Sequence, residues 1–296
     1  MTKRAESLAA AGHLLALMLL AVVATPTAQA QLASRIGSAA NNPVVPGEIV
    51  WADLVTTDVE RAVTFYSTVF GWESRDSGDP NYVELARGDE LVCAIAAFED
   101  DDIPPGGARW LVSVSVSDVD ETASKVTEFG GSVLEEPYDL PDRGRLAVVT
   151  DSQGAVLMLL RAAGGDPARS KVTAGAWAWA ELWTRNIEKA VAFYEKAIGY
   201  RALRDESDAG RPPVVLTTQE IPRATVVEIP WEYVEPNWLP YVLVADGRET
   251  LKEIMDAGGS VLFTSDDVAE DSGTFAAIVS DPAGAVFAIQ ELEAGQ

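Results

Sequence analysis

From residue 49 the chain alternates, turns helical, and alternates again. Ile49 to Thr56 (IVWADLVT) reads as a strand. After it, Asp58-Val-Glu-Arg-Ala opens a pattern in which Ala62, Val63, Phe65, Tyr66 and Val69 fall on one face at helical spacing. Asp58 is placed to cap the helix start, and Phe70-Gly71 to stop it. Short alternating or apolar runs follow, Tyr82 to Ala86 and Leu91 to Phe98. The cycle then repeats: a strand from Trp110 to Val116, a helix from Asp118 to Phe129-Gly130, and runs at Leu146 to Thr150 and Ala155 to Leu160. The predicted order is β-α-β-β-β, twice over.

The whole pattern then recurs. WADLVTTDVERAVTFY from Trp51 and WAELWTRNIEKAVAFY from Trp179 lie 179 − 51 = 128 residues apart. Tyr66 and Tyr194 keep that spacing, as do Gly130-Gly131 and Gly258-Gly259. Asp151-Ser-Gln-Gly154 and Asp281-Pro-Ala-Gly284 lie 281 − 151 = 130 apart, which implies a two-residue insertion after the glycine pair. Repetition over this length predicts tandem modules at residues 48–163 and 175–293, joined by 164–174 and preceded by a small, polar stretch at 31–47.

Residues 1–30 read as a signal peptide. Lys3 and Arg4 precede an apolar run from Leu14 to Ala24, and Ala28-Gln29-Ala30 offers a cleavage site. The run is shorter than the ~20 residues of a membrane span. The expectation is a periplasmic or secreted protein starting near Gln31, with no membrane association after cleavage. The formal net charge of −24 comes with no basic patch, so nucleic acid is not an expected partner. The single cysteine, Cys93, sits in an apolar run and excludes an intramolecular disulfide. The single histidine, His13, lies inside the predicted leader. The mature chain would then lack the commonest metal ligand and general base.

The pattern W-x-[DE]-L-x-T…A-x-x-F-Y…G-[WY], with Gly144-Arg145…Asp151-x-x-Gly154 and its Asp281-Pro-Ala-Gly284 counterpart, resembles the vicinal oxygen chelate superfamily. That group holds glyoxalase I, bleomycin resistance proteins, fosfomycin resistance enzymes and extradiol dioxygenases. The resemblance runs from about Gly47 to Leu292. It implies an α+β fold of two tandem modules, each of two β-α-β-β-β repeats forming an open cup-shaped sheet. Metal-binding members place His, Glu or Gln at four inward positions. Carried over, these fall on Trp51 and Trp179, near Cys93 to Ile95 and Val227 or Glu228, near Leu111 and Leu239, and on Met158 and Ala288. A divalent site needs three or more converging donors, so the resemblance here implies no metal and no cofactor.

Alternate strand residues share a face, which sets Trp51 beside Asp53, and Trp179 beside Glu181 and Trp183. By resemblance that face lines the cup, giving an aromatic platform with a carboxylate for a flat or cationic organic ligand. Trp110 and Arg145 join the candidate ligand-binding set, Arg145 as a clamp for an anionic group. Its counterpart falls near Thr274. Asp53 and Glu181 are the candidate general bases. Phe65-Tyr66 and Phe193-Tyr194 read as core contacts, and Trp72 and Tyr200 as staples for the next strand. Trp231, Tyr233, Trp238 and Tyr241 read as a lid or an inter-module contact. The leading functional expectation is metal-independent binding of a small aromatic or antibiotic-like molecule. Two alternatives stand beside it. One is a lyase, isomerase or hydroxylase-like enzyme using Asp53 or Glu181. The other is a structural or partner-binding module whose cups are plugged, with inter-module or homodimer contacts.

Overall fold

A computed structural model describes residues 42–79, 81–97, 107–140, 142–167, 172–204, 213–232, 234–265 and 275–292. The predicted signal peptide, Tyr233 and Thr274 lie outside the described residues. No described helix is long and apolar enough to cross a membrane.

The first module runs β1 (Ile49–Thr56), α1 (Val59–Phe70), β2 (Glu73–Asp79), β3 (Tyr82–Arg87), β4 (Glu90–Ala97), β5 (Ala108–Ser115), α2 (Val119–Glu128), β6 (Ser132–Leu140), β7 (Gly144–Thr150) and β8 (Val156–Ala162). The second runs β9 (Trp177–Thr184), α3 (Ile187–Ala197), β10 (Arg201–Leu203), β11 (Val214–Thr218), β12 (Ile221–Glu228), β13 (Asn237–Val244), α4 (Gly247–Asp256), β14 (Ser260–Thr264), β15 (Ala276–Ser280) and β16 (Val286–Glu291). Each forms one open eight-stranded sheet, ordered β2-β3-β4-β1-β5-β8-β7-β6 and β10-β11-β12-β9-β13-β16-β15-β14. In the first, β1 pairs parallel with β4 and antiparallel with β5, so the two half-repeats meet along a β1–β5 seam. The second repeats this with β9, β12 and β13.

Each helix begins where a short polar side chain accepts an orphan backbone N–H. Asp58 takes Arg61 N at 3.0 Å, Asp118 takes Glu121 N at 2.9 Å, Asn186 takes Lys189 N at 2.9 Å, and Asp246 takes Glu249 N at 2.9 Å. Such a cap contributes about 1 kcal/mol. The helix α1 ends at Gly71 in the left-handed region, as its sequence predicts.

The helices cover one face of each sheet, and the two modules join through those faces. The helix α2 packs against α3, and α1 against α4. One apolar core joins Val119, Ala123 and Val126 of α2 to Val191, Phe193 and Ala197 of α3; a second joins Phe65 and Val69 of α1 to Ile254 of α4. Each module's first half thus packs on the other's second half. Gly131 and Gly259 let each helix run closely into the next strand of its own sheet, because a Cβ would lie 2.3 Å from Thr150 O at the first and 2.6 Å from Ser280 O at the second.

The repeated residues build this seam. Tyr66 OH donates to Asp281 Oδ2 at 3.2 Å, and Tyr194 OH to Asp151 Oδ2 at 3.3 Å, each across the modules. Trp110 Nε1 donates to Tyr66 OH at 3.1 Å, and Trp238 Nε1 to Tyr194 OH at 2.9 Å. The other oxygen of each aspartate caps its own turn, Asp151 Oδ1 at Gln153 N and Ala155 N, Asp281 Oδ1 at Ala283 N and Ala285 N. Burial, then the facing carboxylate, pushes both tyrosines far above their ordinary pKa. Burial also raises both aspartates. The tyrosines are therefore hydrogen-bonded inter-module contacts as well as core residues.

Trp72 and Tyr200 correct the expected local staple, because both reach into the other module. Trp72 Nε1 donates to Gly175 O at 2.9 Å and Tyr200 OH to Gly47 O at 2.7 Å, the glycines just before each module's first strand. The expected linkers are also pinned to each other: Asp166 accepts Val45 N at 2.6 Å and Ser115 Oγ at 2.8 Å.

Candidate functional site: two unequal cups

The cup faces lie opposite the helices, and in module one that face is closed. Trp51 and Asp53 share it, with Trp51 Nε1 donating to Asp53 Oδ1 at 3.0 Å. The turn between β6 and β7 sends Arg143 into the same space. Gly144 holds φ +115 there, and a Cβ would meet Arg161 O at 2.1 Å, so the turn requires glycine. The Arg143 guanidinium pairs with both Asp53 oxygens, donates to Tyr82 OH at 3.1 Å, and lies 5.9 Å from the Trp51 ring centroid. Burial alone would lower the arginine, but Asp53 and Tyr82 outweigh it and hold its pKa above the ordinary value. Asp53 and Arg143 are both 0% exposed and Trp51 6%. Leu111, Leu146, Val148, Met158 and Leu160 pack around them.

Module two presents the same positions half-buried. Along β9 the helix-side residues Ala180, Leu182 and Thr184 are buried, while Trp179, Glu181 and Trp183 keep part of their surface in solvent. Glu181 Oε2 accepts Tyr241 OH at 2.7 Å and Trp183 Nε1 at 3.1 Å. Burial, then Glu181, raises the Tyr241 phenol well above its ordinary pKa. Trp179 Nε1 donates to Thr225 Oγ1 at 2.7 Å. Trp231 stacks on Trp183, centroids 5.8 Å apart and planes 17° from parallel, and meets Phe263 edge-on at 6.0 Å. Arg185 fixes the Trp231 segment, donating to the carbonyls of Trp231 at 2.9 Å and Glu232 at 2.6 Å. The result is a partly open wall of indoles around one carboxylate.

Two sequence candidates stand elsewhere. Trp110 pairs in register with Leu54 and points to the inter-module core, not the cup. Arg145 is one strand residue beyond the turn, on the parity of Ala147 and Val149, which face the helices. It binds Asp120 of α2 at 2.5 Å and Asp139 at 2.9 Å. The clamp that reaches a cup carboxylate is Arg143, two residues earlier. The four aromatics grouped in module two also separate. Trp238 belongs to the seam, whereas Tyr241 and Trp231 belong to the cup.

The donor set does not fit a divalent metal. In module one Asp53 lies beside Ala94 and Leu111, and Trp51 beside Ser113, which pairs with Met158. In module two Glu181 lies beside Thr225 and Leu239, and Trp179 beside Tyr241, which pairs with Ala288. Each set carries one carboxylate, and in module one Arg143 already holds it. Among the described residues no three His, Cys, Asp or Glu side chains are grouped to hold a metal ion.

Paired β-α-β-β-β sheets joined through their helices, each with a strand-borne indole and carboxylate on the other face, define a tandem glyoxalase-type protein. The family model of the Glyoxalase/Bleomycin resistance protein/Dioxygenase superfamily matches residues 48–159. A Mycobacterium tuberculosis protein named as a glyoxylase, CFP32, is 33% identical over 248 residues, covering 81% of this chain and 92% of its own. The anthracycline biosynthesis protein DauV of Streptomyces sp. is 30% identical over 262 residues, covering 83% and 94%. The Mn(II)-bound glyoxalase from Novosphingobium aromaticivorans shares the fold at a TM-score of 0.59 and 15% identity, over 83% of this chain and 82% of its own. The chain belongs to the Glyoxalase/Bleomycin resistance protein/Dioxygenase superfamily.

Proposed function

We propose that this is an exported, metal-independent protein that binds a small, flat organic molecule in the module-two cup. The contrast between the two copies carries the reading. Arg143 fills one cup and seals its carboxylate, while Trp179, Glu181 and Trp183 at the matching place stay only partly buried. Stacked indoles suit an aromatic ligand, and a relative named for anthracycline biosynthesis supports that class. The charged, apolar N-terminus with its A-x-A site supports export. Isothermal titration with flat polycyclic aromatics tests the site. Trp183→Ala should weaken binding by about tenfold or more, as loss of a central aromatic anchor does, and Trp51→Ala should leave affinity unchanged. Equal affinity in wild type and Trp183→Ala would place the ligand elsewhere.

A second reading is a proton-abstracting enzyme with Glu181 as base. It is favoured by one observation: both hydrogen bonds to Glu181 converge on Oε2, leaving Oε1 without one among the described residues. The relative named as a glyoxylase fits this reading. Asp53, the other candidate base, is fully buried and paired with Arg143.

A further inference from the structure

We infer that the module-two cup selects an organic cation, a guanidinium- or amidinium-like group carried on a flat apolar body; this rests on the reading of that cup as the ligand site. The argument comes from the chain's own repetition. Trp51 and Trp179 are equivalent, as are Asp53 and Glu181. Module one has an occupant at this position: the Arg143 guanidinium, paired with Asp53 and 5.9 Å from the Trp51 ring centroid. Arg143 therefore displays the kind of group that an indole–carboxylate pair on this strand accepts.

Among the described residues, module two has the receptor without the occupant. Glu181 is met by two neutral donors, Tyr241 and Trp183, and neither cancels its charge. The nearest arginine in sequence, Arg185, is turned to the Trp231 and Glu232 carbonyls. The segment matching the module-one turn, residues 266–274, reads DDVAEDSGT and contains no lysine or arginine. A half-buried carboxylate among indoles, paired with no cation among the described residues, attracts a cation that brings an apolar face. The net charge of −24 adds long-range attraction of the same sign.

The test uses the full mature chain and two isosteric probes, benzamidinium and benzamide, titrated calorimetrically. Benzamidinium should bind at least tenfold more tightly. Glu181→Gln keeps an acceptor for Tyr241 and Trp183 while removing the charge, and should bring the two affinities to within about twofold. Equal affinities in the native protein would overturn the cation selectivity and leave the aromatic cup standing. Binding of neither probe would sink both. A preference that survives Glu181→Gln would show attraction to the acidic surface at large, and overturn the assignment to this carboxylate.

Discussion

Arg143→Met is the substitution that most directly tests how module one is held together. The arginine is fully buried and makes three polar contacts, two to Asp53 and one to Tyr82. Methionine fills part of the same volume without charge. Asp53 would then keep only Trp51 Nε1 at 3.0 Å and Tyr82 OH at 3.4 Å, both neutral donors. Removing one partner of a buried ion pair costs about 3–5 kcal/mol, most of it the penalty of the stranded charge. Against the roughly 5–15 kcal/mol of a typical domain, that is a large fraction. Asp53→Asn in the same chain removes the stranded charge, so the double variant should recover about 2 kcal/mol relative to additivity. Urea unfolding of the single and double variants, followed by tryptophan fluorescence, gives the cycle. A loss below about 1 kcal/mol for Arg143→Met, or additive behaviour in the double variant, would refute the view that this pair seals the cup.

Tyr66→Phe and Tyr194→Phe each remove a hydroxyl that donates to a buried aspartate and accepts an indole N–H. Each should cost about 2–4 kcal/mol, because an acceptor and a donor are both stranded, and the two losses should be similar by thermal or urea unfolding. The pH dependence of stability follows from the facing carboxylates. Burial raises Asp151 and Asp281, so the folded chain binds protons more readily than the unfolded one. Their contribution is fully present below the ordinary aspartate value and is lost as pH rises through the raised, folded-state value. The unfolding midpoint should therefore climb on acidification from neutral pH toward that window, and the Asp281→Asn variant should show a shallower climb in differential scanning calorimetry.

Local patterns told most of the fold. The strand from Ile49 to Thr56 and the helix from Asp58 to Gly71 are written in period-two and helical spacing with caps, and both stand at those bounds. The pairing of Trp51 with Asp53, and of Glu181 with Trp183, follows from strand alternation alone. The clamp was harder, because two arginines flank Gly144 and the turn decides between them. Alternation excludes Arg145, which shares parity with Ala147 and Val149 on the helix side, but only the turn at Gly144 carries Arg143 of the same parity into the cup. Trp110 was legible in the same way, sharing parity with Val112 and Val114 and not with Leu111. The Tyr66–Asp281 bond links residues 215 apart, and no local pattern encodes it. Nor does spacing tell a filled cup from an open one, since the strands carrying Trp51 and Trp179 read alike.

Which positions the two copies share, and which they do not, follows from the geometry of the seam. Tyr66 and Tyr194, Trp110 and Trp238, Asp151 and Asp281, and Gly47 and Gly175 are matched residue for residue and build the seam, where Trp72 and Tyr200 make the same contact with different rings. Changing one copy alone would strand its partner, since each tyrosine faces the other module's aspartate. The cup faces lie on the opposite side of each sheet. There Trp51 and Trp179, and Leu111 and Leu239, stay alike, but several matched positions differ: Ser113 against Tyr241, Met158 against Ala288, Glu84 against Val215, and Glu135 against Phe263. Strand alternation separates the two demands, because neighbouring residues on one strand serve opposite faces. A back-to-back pair can therefore close one cup with an internal arginine, adding a buried ion pair to the scaffold, and leave the other lined with indoles, without altering a single contact of the seam.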